Sequence, residues 1–219
     1  MQDIERFLNG FRQFQQKYFV DQPALFDDLR QGQHPATLLI GCCDSRADPA
    51  LLMGCDPGDI FTIRNVAALV PPLEHGTTNQ GVSAAIEFAV CGLNVSRIIV
   101  LGHAYCGGIR ALMQGGGHLT PQGFLTRWVN IAKPAREHVL KDPHLTSPEA
   151  RQKAAELASI LVSLENLLTF PWVKAKVESG QLSLHGWYFD IEQGALLAYS
   201  PRRGTFLPVV CPIDKPPTS

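Results

Sequence analysis

The side chains best equipped for chemistry lie in two short segments, GCCDSRADP at 41–49 and GHAYCGG at 102–108. The first carries Cys42, Cys43, Asp44 and Arg46; the second carries His103 and Cys106. One cysteine of the first segment together with His103 and Cys106 offers two thiolates and an imidazole. Zinc takes such donors tetrahedrally, and three protein ligands leave a fourth position for water. This is the pattern of an open, catalytic site, since a structural zinc normally shows four ligands in two close pairs and no CxxC accompanies the first segment. Water on such an ion ionises near neutrality, at a pKa of about 7, although two thiolates make the metal a weaker acid than three histidines would. Asp44 can accept a hydrogen bond from the resulting hydroxide and fix where its lone pair points. Arg46 can hold that carboxylate in a bidentate pair and keep it from swinging onto the metal. Taken alone, Asp44 and Arg46 are as readily a structural ion pair, and a lone His103 is more often structural than a ligand.

Both segments follow apolar runs that must position them. TLLIG at 37–41, IFTIR at 60–64 and RIIVLG at 97–102 read as buried parallel strands, each a short continuous apolar stretch. Between the last two, 81–93 reads as a helix with Val82, Ala85, Ile86, Ala89 and Val90 on one face. Alternating strands and helices predict a parallel α/β sheet whose ligands bind beyond the C-terminal strand ends. Upstream, Ile4, Phe7, Leu8, Phe11, Phe14 and Tyr18 recur at helical spacing, and 23–30 reads as a second helix. Downstream, a turn is expected at Gly115–Gly117 with His118, and helices over 124–139 and 148–168, the latter capped by Ser147. Residues 182–190 and 196–200 flank Glu192-Gln193-Gly194 as a β-hairpin, and the segment from Pro208 reads as an irregular strap.

Composition narrows the function. The 219 residues are 45% apolar and 18% charged with a net charge of -1, enough to bury a core and no electrostatic reason to expect nucleic acid or an anionic membrane. Asp3, Glu5, Arg6 and Arg12 break up the start, which lacks the apolar core of a signal peptide, and no run is long enough to span a bilayer. A cytoplasmic protein is therefore expected, in which six cysteines stay reduced. Cys55, Cys91 and Cys211 read as buried small hydrophobes. His34, His75, His118, His138, His144 and His185 read as loop or helix-surface residues, with His34 and His75 near strand-end loops.

These two motifs and the HGWYFDIEQG segment resemble the β-class carbonic anhydrases over nearly the whole chain. The resemblance implies a single α/β domain over 1–219: a helical arm at 1–33 that packs on a partner subunit, a zinc-site core at 34–114, and a helical region with C-terminal strands at 115–219. It places the zinc ligands at Cys42, His103 and Cys106, with Cys43 where the family usually has Ser, and an Asp-Arg dyad at Asp44 and Arg46. It implies a carbon dioxide pocket at Gln33 of the partner subunit, Phe61, Val66 and Phe88. Departures are Phe88 for Tyr, Ala68 for Asn, and Leu39 where members with a non-catalytic bicarbonate pocket have Trp, which argues for the open form of the site. The expected activity is reversible hydration of carbon dioxide in a homodimer or dimer of dimers. The alternatives are hydrolysis of carbonyl sulfide or carbon disulfide at the same metal, and a non-catalytic zinc-stabilised interaction module with four protein ligands or none.

Overall fold

A computed structural model describes residues 2–73, 80–116, 120 and 123–212. His75 and His118 lie outside the described residues. The chain divides into two compact units, 1–34 and 35–219.

In the first unit, helix α1 (Gln2–Gln15) runs through a widened π-turn at Gln16–Asp21 into α2 (Pro23–Leu29), which starts on a proline that needs no amide partner there. The aromatic stripe divides. Phe14, Tyr18, Phe19 and Phe26 form a ring cluster with centroids 4.6–6.4 Å apart, whereas Ile4, Phe7, Leu8 and Phe11 are exposed.

The second unit is built on a mixed six-stranded sheet in the order β2-β1-β3-β4-β5-β6. β1 (Thr37–Cys42), β2 (Ile60–Asn65), β3 (Arg97–His103) and β4 (Ser183–Asp190) are parallel; β5 (Ala195–Ser200) and β6 (Thr205–Val210) run antiparallel. The central strands are covered on both faces, hence their unbroken apolar runs. Leu38, Ile40, Ile98 and Val100 point to one side, against Ile86, Ile160 and Phe170. Leu39, Ile99 and Leu101 point to the other, toward Leu52, Met53 and Trp187. Flanking helices are α3 (Pro49–Met53), α4 (Gln80–Glu87), α5 (Gly107–Met113), α6 (Phe124–Val129), α7 (Lys133–Lys141), α8 (Pro148–Leu167) and α9 (Pro171–Glu178). Ser147 caps α8 as expected, its Oγ accepting the Ala150 amide at 3.1 Å.

Several sequence expectations need correction. The segment from Pro208 is no irregular strap at its start, because β6 continues to Val210 by pairing with β5. The helix expected over 124–139 is interrupted by a tight 3-10 turn at Asn130–Ala132, just before Pro134, whose missing amide suits a first turn better than a helix interior. The helix expected over 81–93 widens into a π-turn at Phe88–Gly92. Cys91 and Cys211 are exposed and Cys55 only half-buried, so none is a buried packing residue. His185 lies exposed on β4, neither in a loop nor on a helix.

Candidate metal centre

The parallel register sets Gly41 beside Leu101 and leaves Cys42 and His103 at neighbouring C-terminal strand ends. From β1 the chain goes to β2 on one side and then to β3 on the other, so these ends flank the point where the sheet order reverses, the usual ligand position in open α/β sheets. Cys106 follows two residues after Ala104, at the start of α5. The donor atoms of Cys42, His103 and Cys106 all lie within 4.8 Å of one another, and all three residues are buried. The two sulfurs are 4.0 Å apart, against roughly 3.8 Å for thiolates sharing one tetrahedral zinc with bonds of about 2.3 Å.

The imidazole supplies the sharper test. His103 Nδ1 lies 2.9 Å from the Ala104 carbonyl, which can only accept, so in the neutral ring Nδ1 carries the proton and Nε2 keeps its lone pair. Nε2 is buried and has no hydrogen-bond partner. An orphaned acceptor beside two cysteines, its tautomer fixed by a backbone carbonyl, is what a metal-ligating histidine looks like without its ion. Among the described residues three donors meet here, not the four expected of a structural zinc.

The thiols are unequal. The Cys106 thiol bonded to it, and with it the His103 ring and the Ala67 amide, lower Cys42 against the opposing effect of burial. Cys106 is pushed up, first by its bond to the Cys42 thiolate and then by burial. Burial pulls the His103 imidazolium down, but the Cys42 thiolate, the Ala104 carbonyl and Asp44 outweigh it and the net shift is upward. A cation binding both sulfurs displaces whatever protons the pair still holds.

Asp44 and Arg46 form the expected fork. Arg46 Nε donates to Asp44 Oδ1 at 3.0 Å and Nη2 to Oδ2 at 2.8 Å, while the Arg46 amide also reaches Oδ1 at 3.0 Å. These bonds hold the carboxyl well below the usual carboxylate range despite burial. Its Oδ2 stands 3.8 Å from His103 Nε2, beside the Cys-His-Cys cluster but turned to the guanidinium.

Four supporting groups were missed in the sequence. Arg64 on β2 donates to the Cys42 carbonyl at 3.0 Å, the Asp44 carbonyl at 2.9 Å and Asp48 Oδ2 at 2.5 Å, pinning the loop after β1 at three points. Asp48 in turn caps α3. Glu156 of α8, almost fully buried, accepts the Cys106 amide at 2.9 Å and the Tyr188 hydroxyl at 2.8 Å. Gln152, one turn earlier, donates to Glu156 and to the Cys106 carbonyl, so α8 grips both sides of that residue's peptide groups. Arg64 stood in a visible motif, RNVAALVPP; the polar helix positions 152 and 156 gave no signal of their own.

The remaining turn at 65–69 is held by the Asn65 side chain, which bonds Leu69 in both directions. Ala67 and Ala68 adopt φ of 67° and 54°, and this bend aims the Ala67 amide at Cys42 Sγ at 3.3 Å. A Cβ on Gly108 would sit 2.6 Å from Val66 Cγ1, so glycine lets α5 close onto the turn. Of the expected pocket residues, Phe61 and Phe88 meet at 5.7 Å and Val66 is partly exposed on this turn, its carbonyl bonded to the Trp128 indole. Gln33 is exposed in the first unit. Leu39 is wholly buried among apolar neighbours.

The sequence model of the carbonic anhydrase family matches residues 37–196. A carbonic anhydrase of Synechocystis is 36% identical over 90% of this chain and 71% of its own length. The chloroplastic β-carbonic anhydrase 5 of Arabidopsis thaliana is 41% identical over 82% of this chain, which spans 59% of that protein. Among solved structures, the β-carbonic anhydrase CcaA superposes with a TM-score of 0.87 at 33% identity, covering 98% of this chain and 94% of that one. A Sordaria macrospora enzyme described as a tetrameric β-carbonic anhydrase gives a TM-score of 0.77 at 27% identity, covering 96% and 98%.

Proposed function

The chain belongs to the β-class carbonic anhydrase family and catalyses the reversible hydration of carbon dioxide to bicarbonate and a proton; we propose that it does so at a zinc ion held by Cys42, His103 and Cys106. The observation that carries this reading is the buried, partnerless His103 Nε2 beside two cysteines and the Asp44–Arg46 fork. A zinc ion there supplies the Lewis acidity that makes hydroxide available near neutral pH. The chain's residues do the rest. Asp44 accepts a hydrogen bond from the attacking oxygen and aims its lone pair at the carbon. Arg46 keeps the carboxylate ionised and turned away from the ligands, which supports the open form of the site. Phe61, Val66 and Phe88 give an apolar wall suited to a gas without a net dipole, and Gln33 of a partner subunit donates its amide to a substrate oxygen.

This reading makes the working unit a homodimer or dimer of dimers, with residues 1–33 as an arm on the neighbouring subunit. The exposed Ile4, Phe7, Leu8 and Phe11 support it. No helix among the described residues is long and apolar enough to cross a membrane, and we place the enzyme in the cytoplasm, where its unpaired cysteines remain reduced. Metal analysis joined to stopped-flow hydration across pH tests the proposal. About one zinc per chain and a rate that rises through a single ionisation near neutrality are expected; a metal-free preparation hydrating at full rate would remove it.

A further inference from the structure

Tyr105 lies between two of the three clustered residues, and it adopts a left-handed backbone, φ 57°, that an aromatic residue takes up only when its surroundings hold it there. Its two ends are engaged differently. The phenol donates to Glu192 Oε2 at 2.6 Å, and the carbonyl accepts from Arg46 Nη2 at 3.2 Å, the same nitrogen that serves Asp44 Oδ2. Glu192 is an exposed residue whose backbone is firmly anchored. It sits in the turn between β4 and β5, where buried Asp190 accepts the amides of Glu192 and Gln193, both at 3.1 Å, and is itself paired with Lys153. Arg46 gains from such a hold, because its side chain is 51% exposed and solvent screens its pair with Asp44.

We propose that Tyr105 and Glu192 form a latch that positions Arg46: the phenol, tied to the β4–β5 turn, holds the peptide left-handed so that its carbonyl meets the guanidinium and fixes the plane of the Asp44–Arg46 fork. The latch rests on the dyad reading above. Tyr105 is thus a positioning residue, acting through Arg46 and touching no substrate. The β4–β5 turn, far along the chain, thereby becomes part of the catalytic geometry.

The test uses the zinc-loaded enzyme and the variants Tyr105→Phe, Glu192→Leu, their double, Glu192→Gln and Asp44→Asn. Tyr105→Phe and Glu192→Leu should each lower kcat about fivefold to tenfold at unchanged KM and full zinc content, the scale of one hydrogen bond. The double variant should lose no more than either single, since both remove one interaction. Glu192→Gln, whose amide oxygen still accepts the phenol proton, should recover most of the rate. Exchange of the Arg46 Nε proton, followed by NMR, should accelerate in both single variants. Singles within about twofold of the parent, multiplicative losses in the double, or unchanged Arg46 exchange would each overturn the latch. Asp44→Asn separates the two ideas: if it is inactive while the latch variants are normal, only the latch fails, and if it is fully active the dyad reading falls and the latch with it.

Discussion

Asp44→Asn changes one oxygen to an amide nitrogen and nothing in volume, so its consequences can be worked from the bonds. Asp44 Oδ1 accepts two donors from Arg46 and Oδ2 accepts a third. An asparagine that keeps its oxygen at the Oδ1 position turns its NH2 onto Arg46 Nη2, donor against donor. Flipped, it saves the Nη2 bond and loses the other two. In either pose the fork is broken, and in the first the group turned toward His103 is a donor where the attacking oxygen needs an acceptor. Losing one preoriented hydrogen bond in an active site lowers kcat by about 10²–10³, or about 2.7–4 kcal/mol. The stability change is smaller, about 1 kcal/mol or less, because Arg46 is half exposed and solvent screens the pair. Its pH dependence has a definite sign. Arg46 depresses the folded-state pKa of Asp44, so the pair's contribution is complete above the unfolded value of about 3.9 and is lost as pH falls further. The gap between parent and variant in thermal midpoint should be flat from neutral pH upward and close in acid. The decisive assay is stopped-flow hydration with zinc measured on the same sample. A variant with full zinc that turns over within about threefold of the parent would refute the role given to Asp44.

Three further outcomes follow from the packing. Arg64→Leu frees two carbonyls and Asp48 from the loop that carries Cys42, and chelator competition should show zinc held about 10–100-fold more weakly; unchanged affinity would mean the loop holds itself. Glu156→Leu strands the Cys106 amide and the Tyr188 hydroxyl. At about 1–3 kcal/mol for each buried donor the thermal midpoint should fall by several degrees, whereas Glu156→Gln should lose much less; equal losses in the two would argue against the hydrogen bonds. Gly102→Ala places a Cβ 2.7 Å from Ile160 Cδ1, an overpacking of about 1–3 kcal/mol that Ile160→Val should partly relieve. A Gly102→Ala protein as stable as the parent would show that α8 shifts freely over β3.

The Cys42, His103 and Cys106 cluster was legible because its residues fall in two short sequence segments. Cys42, Asp44 and Arg46 lie within five residues at the end of β1, His103 and Cys106 within four at the end of β3, and each strand is a continuous apolar run of the kind that suits a buried parallel strand. Those runs also specify the parallel core, since a strand covered on both faces carries no polar alternation. What holds the site in place was not legible. Glu156 and Gln152 look like ordinary polar positions on a long helix, and they hold the Cys106 peptide groups only because α8 crosses the sheet beside that residue. Tyr105 and Glu192 are 87 residues apart in sequence and meet through strand pairing. β6 extends through Pro208 because β5 offers it partners, against the local signal of the proline. The thiols divide the same way: composition favours burial for any lone cysteine, but the surface left over by packing decided that Cys91 and Cys211 face solvent. Local sequence thus determined which groups can react and which strands carry them, because covalent adjacency and periodicity are properties of the chain itself. The tertiary structure decided which groups hold the reactive ones in register, because hydrogen bonds between distant segments exist only after the sheet and α8 have packed.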